Sequence, residues 1–123
     1  MTLHESTEMY LETILVLQEK LKDVRAIDIV NHMNFSKPTV SVALKKLKEN
    51  SLVNIDDETK YVTLTDIGYK IANKIYDRHK VLTSFLISIG VTPETASADA
   101  CKIEHDISDE TLECIRNFKT NCN

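Results

Sequence analysis

Three side chains that bind divalent transition metals lie close together near the end of the chain. They are the cysteine, glutamate and histidine of the segment Cys101-x-x-Glu104-His105. Because residues three and four positions apart share one side of a helix, a helical segment would bring a thiolate, a carboxylate and an imidazole together. A cysteine is otherwise often a small buried apolar side chain. The spacing favours a metal site, with ordinary buried or exposed roles as the alternative.

Three further candidate ligands lie elsewhere. Met9 and Glu12 are three positions apart near the start of the chain, and His79 follows Arg78. A site that used all six side chains would mix thioether, thiolate, imidazole and carboxylate donors. Sulfur donors favour Fe²⁺ and would also take Co²⁺, Ni²⁺ or Zn²⁺ in vitro, whereas Mn²⁺ prefers oxygen. We therefore expect Fe²⁺, with Mn²⁺ as the alternative ion. The alternative for Met9 is a place in the core, because a methionine on an apolar helix face is usually buried there.

A segment between these clusters has the pattern of a DNA-reading helix. Ser36 precedes a helix predicted over 37–49, and Pro38 falls in its first turn, where its missing N–H is tolerated. Between residues 25 and 48 there are five basic residues and one acidic residue, although the whole chain has a formal net charge of −4. This local excess favours contact with phosphate, and a solvated lysine face is the alternative. The predicted DNA-binding residues are Arg25, Ser36, Lys37, Pro38, Thr39, Ser41, Lys45, Lys46 and Lys60.

The elements that must position these residues are mostly helical. The spacing of apolar residues predicts helices over 6–21, 25–33 and 37–49, the first of them capped by Ser6 or Thr7. From about residue 52 the apolar residues no longer have helical spacing.

Two short segments, 52–56 and 60–64, are predicted to form a β-hairpin. A long helix over 65–89 follows, and two more helices begin near residues 92 and 108. Helix, helix, turn, helix and hairpin is the order of a winged helix-turn-helix, and a helical bundle with an incidental hairpin is the alternative.

The predicted fold class is therefore mainly α, with two domains. We expect a winged helix-turn-helix DNA-binding domain over residues 1–72 and a helical metal-binding and dimerisation domain over residues 73–123. A chain of 123 residues with 42% hydrophobic and 28% charged residues is typical of one or two small soluble domains.

Several classes of protein are not expected. No run of eighteen apolar residues predicts a membrane-spanning helix, and the start of the chain does not have the pattern of a signal peptide. Three cysteines fit a reducing compartment, so we expect a cytoplasmic protein. The chain has no glycine-rich phosphate loop, Ser-His-Asp pattern or His-Glu-x-x-His motif, which argues against an enzyme.

Four motifs occur in a fixed order along nearly the whole chain. They are Glu8-Met9-Tyr10-Leu11, Ser36-x-Pro38-Thr39-Val40-Ser41, Arg78-His79 and Cys101-x-x-Glu104-His105. Together they resemble the diphtheria-toxin-repressor family of iron- and manganese-dependent transcriptional regulators. The resemblance implies an N-terminal winged helix, a helical dimerisation domain and metal ligands shared between them. On that pattern Met9, Cys101, Glu104 and His105 match the principal site of iron-type members, and His79 matches a ligand position in both branches.

The sequence also departs from the family pattern. Iron-type members hold an ancillary ion partly through a glutamate and a histidine, at positions that are Thr83 and Ser97 here, which argues against that ancillary site. Manganese-type members have a glutamate where Glu12 stands, so a two-metal site bridged by Glu12 and Glu104 is an open alternative. Because the sequence ends at Asn123, the SH3-like third domain of many iron-type members is expected to be absent.

The resemblance implies a repressor that binds double-stranded operator DNA as a homodimer when it is loaded with Fe²⁺ or Mn²⁺, and that controls metal-homeostasis genes. A metal-independent winged-helix regulator that responds to a small molecule or to thiol redox state is the alternative. Imidazole ligands must be neutral, so activation should weaken as the pH falls toward about 6. The apolar residues predicted for the dimer contact, or alternatively for the core of the C-terminal half, are Leu82, Phe85, Leu86, Leu112, Ile115 and Phe118.

Overall fold

The computed structural model describes residues 5–121 of the chain, with side chains described for residues 5–118. The described part contains six helices and one two-stranded sheet, which confirms the mainly α class. No helix in that part is long and apolar enough to cross a membrane. The elements are α1 (Glu5–Leu21), α2 (Ala26–Met33), α3 (Lys37–Glu49), β1 (Val53–Ile55), β2 (Val62–Leu64), α4 (Asp66–Ser88), α5 (Pro93–Ile103) and α6 (Asp109–Asn121).

The chain separates into two compact units, and the boundary between Asn73 and Lys74 falls within α4. The first unit contains α1, α2, α3, the hairpin and the start of α4. Strands β1 and β2 are antiparallel, with Val53 opposite Leu64. This order of elements is the winged helix-turn-helix that the sequence predicts. Its core includes the buried side chains of Leu11, Ile14, Ile29, Val40, Val53 and Val62.

The predicted start of the DNA-reading helix is confirmed. Asn34 ends α2 in the left-handed conformation with φ 59°, which asparagine tolerates better than most residues. The Ser36 hydroxyl accepts a hydrogen bond from the backbone N–H of Thr39 at 3.3 Å, and Pro38 lies in the first turn of α3. The inward face of α3 is apolar, so its other face is left exposed.

Two predicted boundaries in the first unit are wrong. Helix α1 already includes Glu5, so Ser6 and Thr7 lie in its first turn and do not cap it. Two acidic side chains in that turn, Glu5 and Glu8, favour the positive end of the helix dipole.

The two strands are shorter than the predicted segments 52–56 and 60–64. The Asp56 carboxylate accepts hydrogen bonds from the backbone N–H groups of Glu58 and Thr59, at 2.9 and 2.8 Å. Lys60 has φ 64°, which interrupts extended backbone. The turn therefore begins at Asp56, inside the first predicted strand.

The second unit begins at Lys74 and contains the rest of α4 with α5 and α6. Leu82, Ala100 and Leu112 form its buried cluster, with Val81, Ile107 and Ile115 packed against them. Leu82 and Leu112 therefore belong to the core of this unit, as the alternative interpretation of the apolar stripe holds. The Phe85 and Phe118 rings contact edge to face at 5.9 Å, and Phe118 remains 55% exposed.

Candidate metal centre and DNA-binding surface

The predicted cysteine, glutamate and histidine cluster straddles the end of α5. This helix ends at Ile103, and Glu104 is its C-cap with φ −60° and ψ −24°. The Glu104 N–H still donates to the Ala100 carbonyl oxygen at 2.9 Å, whereas His105 lies in the following turn. The prediction that all three residues share one helix is therefore wrong for His105. Because Glu104 keeps helical dihedral angles, the expected juxtaposition with Cys101 survives.

Three donor atoms converge in the second unit. The Nδ1 atom of His79 lies 2.9 Å from Glu104 Oε2 and 3.7 Å from Cys101 Sγ. Each of the three side chains offers one ligand atom within 4.8 Å of the other two. Ligand distances to a divalent ion such as Zn²⁺ are about 2.0–2.3 Å, so a single ion can contact all three after small side-chain adjustments.

The carboxylate of this cluster is buried and only partly satisfied. Glu104 has no exposed surface, and its Oε1 atom has no hydrogen-bond partner. The His105 imidazole is 1% exposed, and its Nε2 atom lies 3.6 Å from Glu104 Oε1. A buried carboxylate oxygen without a partner costs free energy, so a cation that accepts it as a ligand would remove that cost. The donor set therefore fits a divalent metal ion.

The electrostatics of the cluster favour a protonated His79 in the metal-free protein. Hydrogen bonds to Cys101 and to Glu104 raise the pKa of His79 from 6.5 to about 10, although partial burial opposes this. The imidazolium is then favoured at neutral pH, where its Nδ1–H donates a hydrogen bond to the Glu104 carboxylate. A ligand nitrogen must be neutral, so an ion that binds here has to displace that proton.

The second nitrogen of His79 faces a hydroxyl. Ser97 Oγ lies 3.4 Å from His79 Nε2, and the Thr83 hydroxyl is buried with no hydrogen-bond partner. Ser97 and Thr83 occupy the positions at which iron-type members hold part of an ancillary ion. Neutral hydroxyls are poorer ligands for a divalent transition metal than a carboxylate and an imidazole. The absence of the ancillary donor set stays a prediction.

Met9 and Glu12 both lie on α1, in the first unit. Met9 is 37% exposed, although the neighbouring Tyr10 and Leu11 are buried, so Met9 is not a core residue of this unit. Glu12 is half-buried. Their assignment as metal ligands stays a prediction.

The predicted DNA-binding residues of α3 lie on its exposed side. Ser36 and Thr39 cap the helix together, with their hydroxyl oxygens 2.7 Å apart. Because both are also exposed at the helix N-terminus, capping and phosphate contact are compatible. The remaining predicted residues of this helix are all exposed, namely Lys37, Pro38, Ser41, Lys45 and Lys46.

Arg25 and Lys60, the other predicted DNA-binding residues, lie at or beside the hairpin turn. The Arg25 Nε–H donates to the Thr59 carbonyl oxygen at 3.2 Å, and its guanidinium lies 4.9 Å from the centre of the Tyr61 ring. Lys60 is exposed at the turn itself. Arg25 therefore links the start of α2 to the hairpin, in addition to its predicted role toward DNA.

Sequence reasoning assigns no role to Arg78, and the structure gives it one. The Arg78 Nη1 atom lies 3.0 Å from the carbonyl oxygen of Glu104 and 3.1 Å from that of Ile107, and it donates to both. Its Nη2 atom donates to the Asp109 carboxylate. The only available signal was its place in the Arg78-His79 motif, next to a predicted ligand.

Comparison with known proteins finds matches for both parts of the chain. Residues 2–61 match the N-terminal DNA-binding domain of iron-dependent repressors, and residues 65–122 match their metal-binding and dimerisation domain. The chain is 35% identical over 114 residues to the transcriptional regulator MntR of Escherichia coli O157:H7, a match that covers 93% of this chain and 73% of that protein. It is 36% identical over 116 residues to an uncharacterized HTH-type transcriptional regulator of Methanocaldococcus jannaschii, with 93% and 92% covered.

A solved structure, that of the manganese regulator SloR, has a TM-score of 0.81 and 30% sequence identity to this chain. The match covers 93% of this chain and 53% of the SloR chain, so the chain spans about half the length of that protein. Both domain models and these relatives confirm the resemblance that the motifs indicated. The chain belongs to the diphtheria-toxin-repressor family of metal-dependent transcriptional regulators.

Proposed function

We propose that this protein is a metal-dependent transcriptional repressor that binds operator DNA as a homodimer when it is loaded with a divalent cation. The observation that carries the proposal is the convergence of His79, Cys101 and Glu104, with a buried carboxylate oxygen that has no hydrogen-bond partner. A winged helix-turn-helix with an exposed basic helix supports the DNA-binding part. The matched dimerisation domain supports the homodimer.

His79, Cys101 and Glu104 would hold the cation in the second unit, with His105 as a further ligand beside Glu104. The family resemblance adds Met9 and Glu12 as ligands from α1. A bound divalent cation supplies positive charge that balances the carboxylates and thiolate gathered around it. In this proposal, ligation by Met9 and Glu12 is the link through which the cation changes DNA affinity.

For the physiological ion we propose Fe²⁺. The thiol of Cys101 and the thioether of Met9 are softer donors than the oxygen ligands that Mn²⁺ prefers. Mn²⁺ is the second candidate, because SloR is described as a manganese regulator and Glu12 is a manganese-type feature. Because such sites generally bind Fe²⁺ more tightly than Mn²⁺, the test compares the DNA affinity of the protein loaded anaerobically with each ion, and the ion that gives the higher DNA affinity is the better activator.

For DNA recognition we propose that α3 enters the major groove with Ser36, Lys37, Pro38, Thr39 and Ser41 at its leading end. Small hydroxyls and free N–H groups at a helix N-terminus suit phosphate oxygens. Lys45 and Lys46 on the same helix, with Arg25 and Lys60 at the hairpin, would add positive charge along the duplex backbone.

Binding of a DNA duplex is expected to depend on the metal ion. The probe is a duplex selected from a random pool by the Fe²⁺-loaded protein, and its affinity is measured by fluorescence anisotropy. We expect affinity at saturating Fe²⁺ or Mn²⁺ to exceed that in chelator by about 5- to 150-fold, the usual range of coupling between two sites. Salt concentration must be held constant, because phosphate contacts make affinity strongly salt-dependent.

Equal affinity with and without metal would contradict the proposal. It would favour a metal-independent regulator, for which the exposed Cys101 and Cys114 thiols are available redox-sensitive groups. A duplex selected in chelator, with its binding compared before and after thiol oxidation, would then test that alternative.

A further inference from the structure

The side chain of Arg78 lies beside the donor set without contributing a donor to it. It is 12% exposed and immediately precedes the ligand His79 on α4. Its Nη1 atom donates to the carbonyl oxygen of Glu104, so the backbone of a second ligand accepts a hydrogen bond from the helix that carries the first. The Arg78 guanidinium therefore links the backbone of α4 next to His79 with the backbone of Glu104.

The carbonyl groups at the end of α5 need the hydrogen bonds that Arg78 donates. The last carbonyl groups of a helix have no partners within the helix and must be satisfied elsewhere. Here the Glu104 carbonyl, at the C-cap, and the Ile107 carbonyl, in the turn after it, both accept from Arg78. The planar guanidinium fixes several acceptors in one geometry, which a lysine ammonium does not do.

The third partner of Arg78 is the Asp109 carboxylate, which accepts a hydrogen bond from the second terminal nitrogen of the guanidinium. Asp109, in the first turn of α6, accepts from Nη2, and Lys74 lies 3.8 Å from the same carboxylate oxygen. The hydrogen bond from Arg78, followed by the charge of Lys74, lowers the pKa of Asp109. Asp109 therefore stays ionised and keeps Arg78 in place over the turn.

We propose that Arg78 is the positioning residue of the metal centre: it sets where Glu104 stands relative to His79 and so determines the affinity and geometry of cation binding. The inference rests on the proposed function, because it needs the cation site. Residues that orient metal ligands typically contribute 10- to 100-fold to affinity.

Arg116 provides a matched control. Its Nη2 atom lies 2.7 Å from Asp77 Oδ2 and its Nε atom 3.2 Å from Glu113 Oε1. Like Arg78, it is an arginine that joins α4 to α6, and Asp77 lies one position before Arg78. None of these Arg116 partners is a ligand or belongs to the turn after α5. Arg116 is 38% exposed and Arg78 is 12% exposed, so this control tests the loss of an arginine between α4 and α6, and the folding check and the Co²⁺ spectrum separate that loss from an effect on Glu104.

The test compares Arg78→Met and Arg116→Met in the full chain, with Co²⁺ as the probe. Far-UV circular dichroism first checks that each variant is folded at the working temperature. Co²⁺ affinity is then measured by titration, and the ligand-field and thiolate-to-Co²⁺ absorption bands are recorded at saturation. We expect Arg78→Met to lose at least about tenfold in affinity and to show shifted bands, because Glu104 is no longer held in register with His79. Arg116→Met should keep wild-type affinity and bands.

The proposal is overturned if folded Arg78→Met binds Co²⁺ with wild-type affinity and an unchanged spectrum, or if Arg116→Met loses as much. If Arg78→Met does not fold, Arg78→Lys replaces it, since lysine keeps the charge but cannot reproduce the paired geometry. A wild-type affinity and spectrum in Arg78→Lys then counts against the proposal. Failure of the proposed function looks different, because the wild-type protein would then bind the DNA duplex equally well with and without metal, whatever the Co²⁺ affinity of the Arg78 variants.

Discussion

Replacing Glu104 by Gln is expected to abolish tight binding of a divalent cation while the metal-free protein remains folded. Gln has the same shape, and its carbonyl oxygen can still accept a hydrogen bond from His79, but it lacks the charge that a cation requires. Replacing a residue that only orients a metal ligand can already lower metal affinity by about 100-fold. Loss of a charged ligand itself should therefore lower metal affinity by at least about 100-fold. Glu110→Gln, at an exposed position of α6, makes the same chemical change away from the cluster.

Thermal unfolding measures this effect without DNA. A ligand at 1,000 times its Kd stabilises a folded protein by about 4.1 kcal/mol, so wild type and Glu110→Gln should gain several degrees in Tm when metal is added. Glu104→Gln should gain almost nothing. Alkylation gives a second readout, because metal should protect Cys101 and leave the exposed Cys114 on α6 reactive. Wild-type metal stabilisation and Cys101 protection in Glu104→Gln would contradict the assigned donor set.

Cation affinity is expected to rise with pH throughout the range from 6.5 to 8.5, by about tenfold per unit from the proton of His79 alone. The reason is that the pKa of His79 stands at about 10 in the metal-free protein, so a proton competes with the ion at every pH below that value. A histidine with its ordinary pKa of 6.5 would compete only near and below pH 6.5. The expectation from sequence that activation weakens toward about pH 6 is thus extended to higher pH.

Protonation of His79 also makes the stability of the metal-free protein depend on pH, and this stability falls as the pH rises. Because folding raises the pKa of His79, its contribution to the stability of the metal-free protein is fully present below pH 6.5 and is lost as the pH rises through about 10. Calorimetric titration in buffers of different ionisation enthalpy counts the protons released on metal binding. Compared with the wild-type protein, His79→Gln should release about one proton fewer, because the Cys101 thiol contributes to both counts. Cys101 is kept because its hydrogen bond is the largest cause of the raised pKa of His79. A wild-type affinity that does not change from pH 7 to 8.5 would rule out the displaced proton.

The elements that the sequence predicts best depend on local interactions. The boundaries of α3 match the predicted helix over 37–49, because a serine cap and a proline in the first turn act within a few residues. The pairing of Cys101 with Glu104 likewise follows from spacing along a helix. Family motifs added His79, which no spacing argument could bring to the other two.

The features that sequence reasoning missed depend on tertiary contacts. The turn that takes His105 off α5 is held by carbonyl groups that accept from Arg78, which lies 26 residues before Glu104. The division of the apolar stripe also needed the packed structure, since Leu82 and Leu112 enter the core whereas Phe118 stays largely exposed. The spacing of apolar residues along a helix does not distinguish residues that enter the core from residues that stay exposed.

We propose that the cation site and the DNA-binding surface are coupled, and the affinity for the metal ion measured with and without DNA tests this coupling. Thermodynamic linkage requires saturating duplex to tighten metal binding by the same factor by which saturating metal tightens duplex binding. We predict equal factors, each about 5-fold or more, for Mn²⁺ titrated into the full chain with and without the selected duplex. An unchanged metal affinity in the presence of bound duplex would contradict the account.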